Sequence, residues 1–250
     1  MVLFKWYYRT NNFVYFKRAI KMKNKIILIE GTDCSGKQTQ TEMLVDKLNS
    51  SGIKAVRLSF PMYDSPTGKI IAGPYLGKEQ YGAGYFDEGA SHVDPKVASL
   101  FFTADRLYNI KKIYEKLDAG YIVVLDRYVE SNMAHQGGKF ANVQERNKMI
   151  DWIEKLEYKF LKLPRPNQII FLHMPAKFSQ ELKQNRKERG DQHENDLAYL
   201  KRAEKTYLYL AKHFKYQKVD CVANNKIKSK DDISKEIFKL VMEELNKNGI

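Results

Sequence analysis

The strongest constraint on the fold is an apolar run that passes directly into a loop with two glycines and then into a helical pattern. Lys25–Glu30 is rich in Ile, Gly31–Lys37 reads GTDCSGK, and Thr39–Leu48 carries apolar residues at helical spacing before a stop near Ser51-Gly52. The N–H groups of such a loop, together with the N-terminus of the following helix, form an anion site. The segment therefore predicts a strand, a phosphate-binding loop (P-loop) and a helix in direct succession.

The side chains of this loop predict a nucleoside triphosphate as its ligand. Glycine at positions 31 and 36 permits backbone conformations that a Cβ would block, and Lys37 adds a positive charge beside the β- and γ-phosphates. The usual pattern continues with Ser or Thr, whose hydroxyl reaches Mg²⁺, but position 38 is Gln and a hydroxyl follows only at Thr39. The predicted ATP-binding residues are Gly31, Thr32, Asp33, Cys34, Ser35, Gly36, Lys37, Gln38 and Thr39.

Runs rich in Ile and Val recur along the chain and alternate with longer helical patterns. Such alternation predicts parallel strands with helices on both faces of the sheet. We therefore expect an α/β protein of the P-loop type, with three α/β/α layers, a five-stranded parallel sheet and one domain over residues 22–250. The predicted strands are Lys25–Glu30, Ala55–Phe60, Tyr121–Asp126, Gln168–Met174 and Tyr216–Ala223. The other predicted helices are Lys96–Leu117, as one helix or two, Asp191–Phe214 and Asp231–Leu245.

The stretch between Pro61 and Asp94 holds many of the glycines and has no clear helical or strand pattern. A connection of this length in a compact domain is usually functional or mobile. Two interpretations are open at this point. The stretch is either an insertion that covers a substrate or a surface excursion without a role.

The net charge of +13 suggests nucleic acid as a partner, but its distribution argues against that. Residues 1–25 carry seven of the positive charges and no acidic residue, which leaves +6 for the rest of the chain. A body with that charge suits a protein that handles small anionic substrates. Two cysteines are too few for a disulfide framework, and no run reaches the roughly 20 apolar residues of a membrane span. We expect a cytoplasmic protein that binds neither nucleic acid nor membrane.

Residues 1–21 form a basic segment crowded with aromatic residues. The segment lacks the apolar region and cleavage site of a secretory signal. Met22 lies just before the first predicted strand, so we interpret residues 1–21 as a misassigned start or a floppy extension. A transit peptide or a membrane-surface anchor is the alternative.

Five segments, in order, resemble those of the thymidylate kinases, over Lys25 to about Lys212. They are GTDCSGKQTQ, FPMYDSPTG, LFFTADR, DRYVESNMAHQGG, and DQHENDLAYL followed by KTYLYLA. The HQ pair and the DQHE segment resemble a bacterial branch of the family. The resemblance implies transfer of the γ-phosphoryl group of ATP to dTMP, Mg²⁺ as cofactor, a helical lid and a homodimer.

The resemblance also implies roles around the acceptor. Arg127 and Arg106 would hold its monophosphate, Phe102 would stack on thymine, Phe60 would line the same pocket, and Asp33 would lie near the sugar 3′-hydroxyl. Apart from the resemblance, Arg127 follows the carboxyl edge of the third predicted strand and can face the transferring phosphates, with a structural ion pair as the alternative. The two Phe residues would by themselves be assigned to the core and Asp33 to a turn.

The segment after Asp126-Arg127 fits the start of a helix, and in the family it contacts base and sugar. The residues concerned are Asn132, His135 and Gln136. Many family members carry an aromatic residue at the place of His135, where it screens against a ribose 2′-hydroxyl, so selectivity for deoxynucleotides is an open question here. Asp126 ends the third predicted strand, at the edge where open sheets bind ligands, and is the candidate for metal binding.

The run NRKERG over 185–190 supplies cations for a lid over ATP, although a solvated helix face is the usual meaning of such a run. Some family members carry a catalytic Arg in the P-loop, and others supply it from the lid. Cys34 occupies the loop position, so the resemblance assigns that role to Arg186 or Arg189, with Asp191 and Glu194 closing the acceptor side. The expected catalytic residues are Lys37, Arg127, Asp33, Arg186 and Arg189.

Two rival functions remain open on the sequence. Another nucleoside or nucleotide kinase would share the fold, because a fold does not fix its acceptor. A basic nucleic-acid-binding protein is the more distant rival; it rests on the net charge of +13, but seven of those charges lie in the N-terminal segment and no basic motif of a known nucleic-acid-binding module is present.

Overall fold

The computed structural model describes residues 25–184 and 197–247. Its strands are β1 Ile26–Gly31, β2 Ala55–Ser59, β3 Ile122–Asp126, β4 Gln168–His173, β5 Gln217–Asp220, β6 Val222–Ala223 and β7 Lys226–Ile227. Its helices are α1 Lys37–Ser50, α2 Pro66–Ile70, α3 Pro95–Asp118, α4 Val129–Gly137, α5 Val143–Glu154, α6 Ala176–Gln184, α7 Leu197–His213 and α8 Lys230–Lys247. Two π-helical turns, Ile71–Tyr75 and Lys155–Phe160, continue α2 and α5, and a 3₁₀ turn covers Glu79–Tyr81.

Strands β1 to β5 form one parallel sheet in the order β2-β3-β1-β4-β5. Ile29 of β1 lies opposite Asp126 of β3, and Gly31 lies opposite Leu172 of β4. This register brings the carboxyl ends of the central strands to one edge of the sheet. Open parallel sheets bind ligands at that edge, so the loops after β1, β2 and β3 converge on a common site.

Both faces of the sheet are covered by helices, which is why its central strands are almost wholly apolar. Ile27 and Ile29 face the layer that contains α1 and α8. Ile26 and Leu28 face the opposite layer, which contains α3, α4, α5 and α7. The predicted three-layer α/β/α fold with a five-stranded parallel sheet is confirmed.

The stretch after β2 is packed against the domain instead of standing out from it. Buried residues from this stretch form a small apolar cluster with Ala98 of α3. The buried carboxylate of Asp105, also on α3, accepts the Met62 N–H at 2.9 Å and the hydroxyls of Ser65 and Thr67 at 3.0 and 2.7 Å. A side chain at Gly73 would place its Cβ 2.3 Å from the carbonyl oxygen of Tyr81, so the stretch folds back closely on itself.

Two sequence predictions about elements need correction or sharpening. The last predicted strand, Tyr216–Ala223, is two elements, because β5 ends at Asp220 and β6 pairs antiparallel with β7 in a separate hairpin. The pattern over Lys96–Leu117 is one helix, α3, whose N-terminus is capped by the Asp94 side chain.

Several predictions fall on residues outside the described ranges. The helix predicted over Asp191–Phe214 is described from Leu197 onward, as α7. The extension 1–21 and the lid run 185–190 are not among the described residues. In the ranges that the structure covers, the helices are all too short or too polar to cross a membrane.

Candidate active site

The loop between β1 and α1 has the close-packed backbone that the sequence predicts. A Cβ at Gly31 would lie 2.4 Å from Ser35 Oγ and 2.7 Å from the carbonyl oxygen of Leu172, so only glycine fits there. Gly36, which precedes α1, has φ +79°, and Cys34 has φ +59°, both in the left-handed region. These turns bend the loop around the N-terminus of α1, where backbone N–H groups and the helix dipole favour an anion.

Lys37 is held inside this loop. Its Nζ donates to the carbonyl oxygens of Gly31 and Thr32 at 3.0 and 2.8 Å and lies 3.5 Å from Ser35 Oγ. Burial and, to a smaller extent, the positive charge of Arg127 together lower the pKa of the Lys37 ammonium to about 8. A bound phosphate would oppose both effects, because a nearby anion stabilises the charged form.

Position 38, directly after this lysine, carries Gln instead of the usual hydroxyl residue, and Thr39 is the next hydroxyl residue along α1. Gln38 is exposed, and its amide donates to Glu42 Oε1 at 3.0 Å, one turn further along α1. Thr39 is exposed on the wall of the cleft. Both Gln38 and Thr39 line the cleft, and Thr39 is the one of the two that carries a hydroxyl.

Asp126 at the end of β3 is paired with an arginine that the sequence analysis missed. Arg57 of β2 forms an ion pair with Asp126 Oδ2, and its Nε donates to Thr41 Oγ1 at 2.8 Å. An arginine inside the apolar β2 segment AVRLS was the available signal. Arg57 thereby connects β2, β3 and α1 at the wall of the cleft.

Arg127 stands at the centre of the site, where the chain turns from β3 into α4. Its φ is +65°, in a region that non-glycine residues seldom adopt. Residues that do adopt it are concentrated at functional sites. Its Nη2 donates to Asp33 Oδ1 at 3.2 Å, and its Nη1 lies 3.5 Å from Ser131 Oγ and 3.4 Å from His135 Nε2. Arg127 thereby links the P-loop to α4.

The turn that carries Arg127 is fixed by a second residue that the sequence analysis missed. Glu30 of β1 accepts the N–H groups of Tyr128 and Ser131 at 2.9 and 3.0 Å, and the hydroxyls of Ser131 and Tyr207 at 2.7 and 3.1 Å. Burial raises the pKa of Glu30, while the charge of Arg127 and these donors oppose the rise. A glutamate at the end of the apolar run IILIE was the available signal.

Arg106 lies in the opposite wall, fully buried and already paired. Its Nε and Nη2 donate to the two carboxylate oxygens of Glu157 at 2.5 and 2.6 Å, and Nη1 reaches the carbonyl oxygen of Tyr128 at 3.3 Å. The guanidinium that Arg106 presents to the cleft is thus already paired with Glu157, and its expected contact with the acceptor phosphate stays a prediction. No pattern in the sequence singled out Glu157, which lies in the π-helical turn after α5.

The same wall contains two buried side-chain amides, Asn132 and Gln136, with atoms that have no hydrogen-bond partner among the described residues. Asn132 Nδ2 donates to Glu157 Oε1 at 2.9 Å and to Ser99 Oγ at 2.8 Å, but Asn132 Oδ1 has no described partner. Both amide atoms of Gln136 are buried and have no partner among the described residues. Such groups are costly to bury without hydrogen bonds, so the wall is suited to a ligand that carries both donors and acceptors.

These residues line one cleft of about 570 Å³. The predicted residues on its surface are Asp33, Cys34, Gly36, Lys37, Gln38, Thr39, Phe60, Phe102, Arg106, Asp126, Arg127, Asn132, His135 and Gln136. Gly31, Thr32 and Ser35 are buried residues of the loop, and the Thr32 hydroxyl exchanges hydrogen bonds with the backbone of Met174 at 2.7 and 2.9 Å. Arg186, Arg189, Asp191 and Glu194 are outside the described residues.

The phosphate-binding loop on a parallel sheet, with cations converging on the same cleft, defines a P-loop phosphotransferase. The chain belongs to the thymidylate kinase family, whose model, described as Thymidylate kinase, matches residues 29–233. It is accordingly an ATP-dependent enzyme of that family.

Relatives and solved structures agree with this assignment. A thymidylate kinase from Schizosaccharomyces pombe is 30% identical over 219 residues, which cover 88% of this chain and 92% of that protein. A probable thymidylate kinase from Pyrococcus abyssi is 29% identical, and the match covers 90% of this chain and 98% of that protein. The solved thymidylate kinase of Candida albicans has a TM-score of 0.65 and 26% identity, with 90% of this chain and 93% of that chain covered. The eukaryotic and archaeal origins of these proteins do not support the expected bacterial branch.

Proposed function

We propose that the cleft transfers the γ-phosphoryl group of ATP to dTMP, giving ADP and dTDP for dTTP synthesis. The observation that carries this proposal is the composition of the two walls of the cleft. One wall is a phosphate-binding loop with Lys37, and the other offers an aromatic ring, Phe102, beside the buried amides of Asn132 and Gln136. A nucleotide base fits the second wall, because it can stack on the ring and exchange hydrogen bonds with the amides.

The catalytic work in this proposal is alignment and neutralisation of charge. Phosphoryl transfer passes through a loose transition state, so the protein contributes mainly by positioning the reactants and stabilising negative charge. Lys37 would stabilise the β- and γ-phosphates, and Arg127 would lie between the donor and acceptor phosphates. Asp33 would orient Arg127 through their ion pair and remain close to the acceptor sugar.

Mg²⁺ would bind mainly through ATP and water. Mg²⁺ keeps several waters and takes few protein carboxylates in such sites. Asp126 fits this role through Oδ1, because Arg57 contacts Oδ2 and the described contacts include none to Oδ1. Thr39 would supply the hydroxyl that Gln38 lacks. The chemistry that the ion supplies when bound is neutralisation of the β- and γ-phosphates.

The proposal extends to the lid, the sugar and the assembly. Arg186 or Arg189 would add a cation at the transferred group, with Asp191 and Glu194 on the acceptor side. His135, whose Nδ1 lies 2.8 Å from the Tyr199 hydroxyl, would face the acceptor sugar and disfavour a ribose.

A homodimer is supported by exposed apolar side chains on α3, at Val97, Leu100, Leu107 and Tyr108. Burial of these side chains against a second copy would remove them from water. Residues 22–250 would form the kinase domain, in the cytoplasm, with neither nucleic acid nor membrane as partner.

The test is a panel of acceptors with ATP and Mg²⁺. The purified chain is incubated with dTMP, dUMP, dCMP, AMP and thymidine, and the formation of ADP is measured for each. We expect the highest kcat/KM for dTMP. A higher value for any other acceptor would overturn the proposed substrate and favour another nucleotide or nucleoside kinase.

A further inference from the structure

The cationic side chains that line the cleft differ in whether a partner in the protein already satisfies them. Arg57 is paired with Asp126, Arg106 with Glu157, and Arg127 with Asp33. The ammonium of Lys37 is held by the carbonyl oxygens of its own loop. The remaining cation on the cleft wall is Lys78.

Lys78 has no carboxylate within ion-pair distance in the part of the chain that the structure describes. Its Nζ lies 4.3 Å from the centroid of the Tyr63 ring, a cation–π contact that leaves the charge uncompensated by any anion. Lys78 is half-buried, and both Lys78 and Tyr63 line the cleft. Lys37 also lacks a carboxylate partner but is held by carbonyl oxygens of its own loop, so Lys78 is the cleft cation that no oxygen of the described residues holds.

The backbone holds this cation in place. The Lys78 N–H donates to the carbonyl oxygen of Ala72 at 2.9 Å, and the preceding Gly77 has φ +63°. Tyr63, on which Lys78 rests, follows the end of β2 and lies next to Met62, whose N–H is bound to the buried Asp105. Lys78 is thus presented from a packed segment at the acceptor side of the cleft.

We propose that Lys78 binds the phosphate of the acceptor monophosphate and so selects a nucleotide over a nucleoside. The proposal rests on the proposed function, because it assumes a monophosphate acceptor in this cleft. An acceptor phosphate brings up to two negative charges beside the triphosphate of ATP. Glu157 pairs with Arg106 and Asp33 pairs with Arg127, so Lys78 is the cation on the acceptor side that has no carboxylate partner among the described residues. With this role for Lys78, the stretch between Pro61 and Asp94 becomes a substrate-binding element.

The test compares two ligands that differ only in the phosphate. Binding of dTMP and of thymidine is measured by isothermal titration calorimetry in the presence of a non-hydrolysable ATP analogue, for the wild-type chain and for Lys78→Gln. Because a hydrogen bond to a charged group is lost, we expect the affinity for dTMP to fall about 10- to 100-fold. The affinity for thymidine is expected to change less than about 2-fold. Lys78→Arg is expected to keep most of the affinity for dTMP.

Lys69→Gln is the matched control, since it removes the same charge from an exposed position in the same segment. It is expected to leave both affinities unchanged. Equal losses for dTMP and thymidine in Lys78→Gln would assign Lys78 to the packing of Tyr63 and overturn the proposal. Unchanged binding of both ligands would also overturn it.

The two proposals fail in different ways. If the wild-type chain prefers an acceptor monophosphate other than dTMP, the proposed substrate fails, and the comparison is made with that monophosphate and its nucleoside. If the wild-type chain prefers a nucleoside, both proposals fail. If dTMP is the best acceptor and Lys78→Gln binds it normally, only the role of Lys78 fails.

Discussion

The two walls of the cleft are built in different ways. The donor wall comes from one contiguous stretch, Gly31–Thr39, and works largely through backbone N–H groups and one lysine. The acceptor wall is assembled from the segment after β2, from α3, from α4 and from the π-helical turn Lys155–Phe160. A buried ion pair between Arg106 and Glu157 and a hydrogen bond from Asn132 to Glu157 hold it together. The donor wall is therefore a local structure, whereas the acceptor wall depends on the packing of the whole domain.

The largest expected effect is a loss of stability when the buried ion pair of the acceptor wall, Arg106 with Glu157, is broken. Arg106→Met leaves the carboxylate of Glu157 buried without its cation, which should lower the free energy of unfolding by about 3–5 kcal/mol. The double variant Arg106→Met/Glu157→Met should recover most of this loss, because no unpaired charge remains. Denaturant unfolding at equilibrium measures both.

The exposed pair of Lys155 and Asp151 provides the control for this prediction, with a separation of 2.6 Å. Lys155→Met should cost less than about 1 kcal/mol, because exposed ion pairs contribute little. An Arg106→Met variant no less stable than Lys155→Met would contradict the claim that buried pairing supports the acceptor wall.

The next effect tests the donor wall through its lysine. Lys37→Met removes the cation from the phosphate-binding loop and should lower kcat by about 10²- to 10³-fold, as for loss of one preorganised charge-stabilising group. Stability should change far less than in Arg106→Met, because no unpaired charge is left behind. Turnover of ATP with dTMP and thermal unfolding are the measurements.

Lys47→Met, on the same helix, is the control for Lys37. Lys47 donates to Ser234 Oγ at 2.8 Å, outside the cleft, so its loss should leave kcat unchanged. Turnover of Lys37→Met within about 10-fold of the wild type would argue against a catalytic role of the donor wall lysine.

A smaller effect on stability and on kcat is expected at Glu30, which holds the turn that carries Arg127. Glu30→Gln replaces an acceptor of four hydrogen bonds by an amide that must turn one N–H group toward other donors, which should cost about 1–3 kcal/mol of stability. Because Glu30 fixes the turn that carries Arg127, kcat should fall about 10-fold while the KM for ATP stays the same. Steady-state kinetics with each substrate varied separate these effects. Glu42→Gln, an exposed substitution on α1, is the control and should change neither the stability nor kcat.

The smallest effect concerns a histidine that ties α7 to the sheet beside the donor wall. His173 Nε2 lies 2.9 Å from Glu204 of α7, and Nδ1 lies 3.0 Å from Asp220 of β5, which Lys218 also contacts. The hydrogen bond to Glu204, followed by that to Asp220, raises the pKa of His173 above its ordinary value of 6.5. A raised pKa in the folded state means that the protonated form stabilises the fold.

This stabilisation should be complete below pH 6.5 and be lost as the pH rises through the raised pKa of the folded state. Unfolding measured against pH should therefore show the wild type more stable than His173→Asn by about 1 kcal/mol or less at low pH, with the difference vanishing at high pH. A difference that does not depend on pH would exclude protonation of His173 as its cause.

The comparison of the two walls also explains what could be predicted from the sequence. The donor wall was predicted residue by residue, because its loop is contiguous and its glycines are required by local geometry. The family resemblance placed Phe102, Asn132 and Gln136 in one site, and the structure brings them to the same cleft, but the resemblance gave no sign of Glu157. Arg106 and Glu157 are separated by 51 positions, so their pairing is a property of tertiary packing alone.

The sequence by itself determined the phosphate-binding loop, the parallel α/β architecture and the family. Each of these depends on short-range patterns, in which residue type and spacing are sufficient. Only the tertiary structure decided which cations of the cleft wall are paired with a carboxylate. The sequence shows four cationic residues here, Arg57, Arg106, Arg127 and Lys78, without showing which of them are paired. In the folded domain the three arginines each contact a carboxylate. The physical reason is that the electrostatic interactions of a charged side chain depend on the charges near it in space, and those charges come from distant parts of the chain.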